Sequence, residues 1–262
     1  LKKLTWHSNT FSMEFKGFEP LVSGPNKLPN CAYSLHDYSN MGFPSGDPFI
    51  GSEEQKARLE RTFLRKAEFM AQHGVAAWNG EFGPVYSVHE PDPVKAQAID
   101  TQRYNLLGEQ LRIYDKYQIS WSIWLYKDIG LQGMIHTAPD SKWMRTIAPF
   151  LKIKLEAQLD AWGAYPSAPM KAVLDPFVRH IESINPDAGN EYPTNWGVER
   201  QITRAVLQVF LSRTLQGKFA EQFRGMGKEE LEECARSFSF KECKKREGLN
   251  EILREHAKLR TA

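Results

Sequence analysis

The apolar positions of this chain change period in a regular order. Residues 31–39 (CAYSLHDYS) and 75–80 (VAAWNG) are short, largely apolar runs that end in polar residues. Parallel strands covered on both faces have this look. Between them, Glu53–Gly74 spaces Leu59, Phe63, Ala67 and Met70 for one face of a helix, with Ser52 as N-cap and Gly74 as C-cap. Pro91–Tyr117 predicts a second long helix, with Leu106, Leu107, Leu111 and Ile113 among its buried residues. ISWSIWLYKD, residues 119–128, is rich in aromatic and β-branched residues and predicts another strand. Its alternation sends Trp121 and Ile123 to one side and Ser122 and Trp124 to the other. LTWHSN, residues 4–9, predicts a further strand ahead of these. The order up to about residue 130 is strand, loop, strand, helix, strand, helix, strand, which implies parallel pairing and an α/β fold.

After residue 140 the pattern is helical throughout. APFLKIKLEAQLDAWG, MKAVLDPFVRHIESI, ERQITRAVLQVFLSRTLQGKFAEQFRGM and KEELEECARSF are amphipathic stretches separated by Pro, Gly and Asn turns. The expected organisation is an α/β part over residues 1–138 and an all-helical extension over 139–262.

Composition narrows the function classes. The 262 residues are 41% hydrophobic and 25% charged, ordinary for a globular protein with a sizeable core. A net charge of +2 gives no pull toward nucleic acid or an anionic membrane. KECKKREG near the C-terminus reads as a solvated helix face. No run approaches the ~18 apolar residues of a membrane span. Cys31, Cys234 and Cys243 are too few and too scattered for a disulfide framework. No CxxC or HExxH motif suggests a zinc site, and the seven histidines show no ligand spacing, so neither metal nor cofactor is expected.

Polar and aromatic residues gather where each strand ends: Asn9, then His36 and Tyr38, then Glu81, then Trp124 and Lys127. Glu81 stands out. It closes an apolar run, is flanked by Trp78 and Phe82, and is bracketed by Gly80 and Gly83. A carboxylate at the end of a buried strand is costly unless its charge is used. In a (β/α)8 barrel such strand ends form the active-site face.

Taken together, these motifs resemble the second half of a glycoside hydrolase family 5 barrel. GEFG looks like that family's seventh-strand nucleophile motif, HDY like its His-x-Tyr signature after the sixth strand, and WLYKD like the end of its eighth. SNTFSMEF fits the segment after the fifth. The resemblance implies a partial TIM barrel, about strands five to eight, followed by the helical extension. It further implies Glu81 as nucleophile, Tyr38 as the donor that holds it as an anion, His36 as an orienting or sugar-contacting group, and Trp124 as a flat floor for the sugar. The resemblance also offers Trp78 and Trp121 as further apolar faces and Asn9 as a candidate cleft residue. A retaining mechanism needs a second carboxyl about 5–5.5 Å from the first. In the family it follows an asparagine at the end of the fourth strand, so it is expected on a missing N-terminal half, which would be the chain's partner alongside a carbohydrate substrate. Asn190-Glu191 in GNEYP has the right dipeptide in the wrong place, between helices, and reads as a decoy; Glu14 is a weaker substitute. Two other classes stay open. One is a non-catalytic carbohydrate-binding or scaffold protein derived from such a barrel. The other is an interaction module formed by the helical region.

Overall fold

A computed structural model of the chain describes residues 32–43, 46–87, 90, 92–157, 168–188, 197–203 and 211–261. The strands are β1 Ala32–His36, β2 Ala76–Glu81, β3 Ser120–Trp121, β4 Lys127–Asp128, β5 Ile135–Thr137 and β6 Cys243–Lys245. The helices are α1 Glu53–His73, α2 Pro93–Lys116, α3 Lys142–Glu156, α4 Ala168–Ile184, α5 Val198–Ile202, α6 Gln216–Glu221, α7 Lys228–Arg236 and α8 Glu247–Thr261. They fall into two compact units: one runs to His136 and resumes at Lys245, and the other covers Thr137–Lys244.

The first unit is the α/β part. β1, β2 and β3 pair in parallel in that order, with α1 and α2 as the two crossovers. The capping chemistry explains why the helices start and stop where they do. Ser52 Oγ accepts from Gln55 N–H at the start of α1, and Gly74 closes it at φ +59°, donating to Met70 O. Asp92 caps α2 through Val94 and Lys95 N–H, with Pro93 in the first turn, where its missing N–H costs nothing. Tyr33 and Leu35 of β1 are buried in one core with Phe63 and Met70 of α1 and Leu107, Leu111 and Tyr114 of α2. Their strand neighbours Ala32 and Ser34, together with Ala76, Trp78 and Ser120, are exposed. Thus helices cover one face of this sheet, and the other is open among the described residues. The α/β class holds, and the described strands form two small sheets, not a closed barrel.

The expected strand 119–128 is divided. Only Ser120 and Trp121 pair regularly with β2, and Lys127–Asp128 belongs to another sheet, parallel to β5. Between them Ser122 N–H still donates to Asn79 O and Trp124 N–H to Phe82 O, and the Trp124–Leu125 peptide is cis. The alternation persists: Trp121 and Ile123 pack on the core, and Trp78 Nε1 donates to Ser122 Oγ on the other side.

The C-terminal helix belongs to this unit. Leu249 is fully buried in the same core, with Ile252 and Leu253 packed against it. Arg246 enters the helix stacked 4.1 Å over the Tyr86 ring, donating to Gly130 O and Gly133 O. His256 Nε2 lies 2.5 Å from Asp115 Oδ2 of α2. The sequence pattern places this helix with the extension; the structure returns it to the α/β unit. KECKKREG, expected as a helix face, is a turn followed by β6 and the first residues of α8.

The described residues of the second unit are mainly helical. α3 begins earlier than expected and carries Pro149 in its interior, as α4 carries Pro176. Trp143 of α3 contacts the rings of Phe219, Phe223 and Phe238. Cys234 is buried on α7, 3.7 Å from Thr146 Oγ1, and fills packing space as a small apolar side chain. No described helix is long and apolar enough to cross a membrane.

Candidate active site

Glu81 is the last residue of β2, and its position depends on an irregularity in the sheet. Leu35 pairs with Asn79 but His36 pairs with Glu81, so Gly80 is left without an opposite number. An extra residue in one strand re-aims the side chain that follows it. The space beside it is tight: a Cβ at Gly80 would lie 2.8 Å from Ser34 Oγ and 3.5 Å from His36 Nε2, so a larger residue requires the Ser34 hydroxyl to move aside. With the step, Glu81 comes alongside the end of β1 instead of continuing the alternation.

Two side chains from that end meet the carboxylate at the same oxygen. Tyr38 donates its hydroxyl to Glu81 Oε2 at 3.1 Å, and His36 Nδ1 lies 3.3 Å from Oε2. Tyr38 is buried against Phe43 and Val85. Burial, the Glu81 charge and the hydrogen bond itself all push the Tyr38 phenol upward, so it stays a proton donor. Burial lowers the pKa of His36, the Glu81 charge opposes that, and the Lys66 charge adds to it. The net direction is downward, which favours the neutral imidazole.

The aromatic residues lie on the next segment. Phe82 O accepts from Trp124 N–H at 2.8 Å, and Gly83, at φ +136°, brings its Cα so close that a Cβ would stand 3.0 Å from Trp124 O. This backbone contact places Trp124 beside the Glu81 turn, with its side chain available: the residue is 42% exposed. Trp78, 45% exposed, lies on the open face of the sheet. Trp121 is core, in edge contact with Phe82. Asp128 accepts from Gly130 and Gln132 N–H and so shapes a loop. Asn9, Glu14 and Asn190-Glu191 lie outside the described residues.

Beneath the site is a polar group that the sequence reading did not pick out. Asp37, between His36 and Tyr38, turns to the helix-covered side. Its Oδ1 accepts from Lys66 Nζ at 2.8 Å and its Oδ2 from Tyr114 Oη–H at 2.9 Å. Its backbone N–H donates to Glu81 O and Asn79 Oδ1, and its backbone O accepts from Gln110 Nε2. Lys66 could have been found: it sits three residues after Phe63 and four before Met70, on the apolar stripe of α1, where a lysine must have a buried partner. Among the described residues no group of three or more His, Cys, Asp or Glu side chains could hold a metal ion.

These residues sit inside a recognisable stretch of sequence. Residues 3–130 match the model of the cellulase family, glycosyl hydrolase family 5. The chain is 40% identical over 254 residues to a protein named beta-xylosidase from Phanerodontia chrysosporium. That match covers 96% of this chain and 52% of the relative, so the chain spans about half the length of the curated relative it matches. No solved structure matches the chain. Through residues 3–130 the chain is thus related to glycoside hydrolase family 5, and both strand ends that converge at Glu81 lie inside that stretch.

Proposed function

We propose that Glu81 is the nucleophile of a retaining glycoside hydrolase acting on β-glycosides by double displacement. The observation that carries this reading is the convergence of Tyr38 and His36 on Glu81 Oε2 at the ends of adjacent parallel strands. A nucleophilic carboxylate must be ionised and held in one orientation. A buried phenol that keeps its proton does both, because its hydrogen bond stabilises the charged form and fixes the oxygen that accepts it. The other oxygen is then available to attack the anomeric carbon. Attack forms a glycosyl ester on Glu81 as the leaving oxygen takes a proton from an acid, and water then hydrolyses the ester with that residue acting as base.

In this reading β1, β2 and β3 correspond to strands six, seven and eight of a barrel, and Trp124 presents its ring to the sugar. The acid/base carboxyl belongs to a residue outside those described, and the open face of the sheet is completed by the rest of the barrel. The name of the Phanerodontia relative makes β-xylosides the first substrates to try, with β-glucosides second.

The test is covalent trapping. A 2-deoxy-2-fluoro-β-xylosyl or -glucosyl fluoride is itself activated for departure, so it needs little help from an acid. Its glycosyl group should add to the peptide carrying Glu81, as read by mass spectrometry, and should not add in Glu81→Gln. Labelling elsewhere would overturn the assignment. Sugar binding with no adduct would favour the non-catalytic carbohydrate-binding reading.

A further inference from the structure

The site as described uses His36 and Tyr38 but gives no task to the residue between them. Asp37 and Lys66 form an ion pair 2.8 Å long with side chains only 9% and 5% exposed. Replacing a buried pair by apolar groups of similar volume is often neutral or stabilising, so filling space is a poor reason for charges here. What a pair does supply is direction. Both carboxylate oxygens, the amide N–H and the carbonyl of Asp37 each have a named partner, drawn from α1, α2 and β2. Fixing all four holds the peptide planes on either side of Asp37, and those planes set where the His36 and Tyr38 side chains leave the backbone.

We propose that the Asp37–Lys66 pair, completed by Tyr114, is a positioning device for the nucleophile: it locks the His36–Asp37–Tyr38 segment so that imidazole and phenol meet the same oxygen of Glu81. The inference rests on the reading of Glu81 as nucleophile. Among the described residues Asp37, Lys66 and Tyr114 make their hydrogen bonds to groups other than the Glu81 side chain; they act through His36 and Tyr38. Burial and the Asp37 charge push the Tyr114 phenol well upward, so this donor too keeps its proton. The Lys66 charge contributes to holding His36 neutral.

The experiment compares the protein expressed from its whole coding sequence with its Tyr114→Phe, Lys66→Met and double Lys66→Met/Asp37→Asn variants, using the 2-fluoro glycosyl fluoride as probe. Positioning predicts a fall of about tenfold or more in the first-order labelling rate, within the ~10²-fold that a 1 Å misplacement can cost, at unchanged half-saturating probe concentration. In the double variant stability should recover while the rate does not. A folded double variant and a folded Tyr114→Phe that both label at the wild-type rate would overturn the proposal and leave the pair a fold determinant. A wild-type chain that does not label at Glu81 counts against the nucleophile reading instead. The positioning claim is then decided by NMR of the His36 and Tyr38 rings, which needs no turnover. Ring shifts that move in Tyr114→Phe and in the double variant support it, and shifts matching wild type in both overturn it.

Discussion

Tyr38 reaches across from the end of β1 to Glu81 at the end of β2 and donates its hydroxyl to Oε2 at 3.1 Å, forty-three residues away in the chain. The contact exists because two parallel strands place their C-terminal ends side by side, and because the register step at Gly80 turns Glu81 toward β1.

Removing that hydroxyl isolates its contribution. A hydrogen bond to a charged group is worth roughly 1.5–3 kcal/mol, or about ten- to a hundredfold in rate if it is made fully in the transition state. Tyr38→Phe keeps the ring packed on Phe43 and Val85, so its melting temperature should stay close to wild type while Glu81 labelling slows by that factor. Rate constants from a mass-spectrometric time course, beside a thermal melt, check both halves.

His36 gives the site a pH dependence with a defined sign. Burial lowers its pKa below the ordinary 6.5, against the opposing Glu81 charge and with help from Lys66. The folded state therefore binds fewer protons at this residue than the unfolded chain does. The stabilisation from neutral His36 is complete above 6.5 and is lost as the pH falls below it toward the folded value. The melting temperature should decline from pH 7.5 to 5.5, and the slope should be shallower in His36→Gln. Equal slopes would show that His36 does not titrate as its surroundings require.

Gly80 is a position where one methyl group should matter. The Cβ of Gly80→Ala would stand 2.8 Å from Ser34 Oγ, inside contact distance, so the Ser34 side chain must rotate or the strands must shift. Overpacking of this kind costs about 1–3 kcal/mol. Because the step aims Glu81, labelling should fall further than the loss of stability explains. Gly108, with open space around the site of a Cβ, is the matched control: Gly108→Ala on α2 should be neutral or stabilising.

Much of this site could be read from the chain. Helical spacing with Ser52 and Gly74 as caps places α1 closely, and the strand ends carrying His36, Tyr38 and Glu81 fall together because strand–helix alternation implies parallel neighbours. What could not be read involves partners distant in sequence. Asp37 looks like a polar spacer until α1 and α2 bring Lys66 and Tyr114 to it from 29 and 77 residues away. Residues 119–128 have the composition of one strand, but Ser120–Trp121 pairs with β2 and Lys127–Asp128 with β5, and composition carries no signal for which sheet a residue joins. The last helix is amphipathic wherever it packs. That its apolar face meets α2 is a fact of tertiary structure, fixed by Leu249, the close approach of Gly248 to Tyr104 and the His256–Asp115 contact.

That last contact yields a stability test. Leu249 is completely buried in the α/β core, so Leu249→Ala should cost about 2–5 kcal/mol, the range for deleting a buried leucine side chain. Leu259→Ala, on the same helix but 78% exposed, should change stability by less than about 0.5 kcal/mol. Denaturant melts of the two variants distinguish a helix packed into the core from a peripheral one.

The Asp37–Lys66 pair makes the sharpest energetic prediction, because two opposing costs decide it. Each charge has left water; Asp37 is compensated by Lys66 and by the Tyr114 hydroxyl, and Lys66 by Asp37. Lys66→Met removes one partner and strands the buried Asp37 carboxylate beside Tyr114, at a cost of about 3–5 kcal/mol. Asp37→Asn alone strands the ammonium and should cost a similar amount. The double variant buries no charge, keeps an Asn side chain able to accept from Tyr114, and fills the lysine's path with methionine. Its stability should return to within about 1–2 kcal/mol of wild type, so the two single losses should be far from additive. A double variant as unstable as the sum of the singles would mean that the pair contributes net attraction beyond what desolvation removes, and the folded state would then depend on these charges directly.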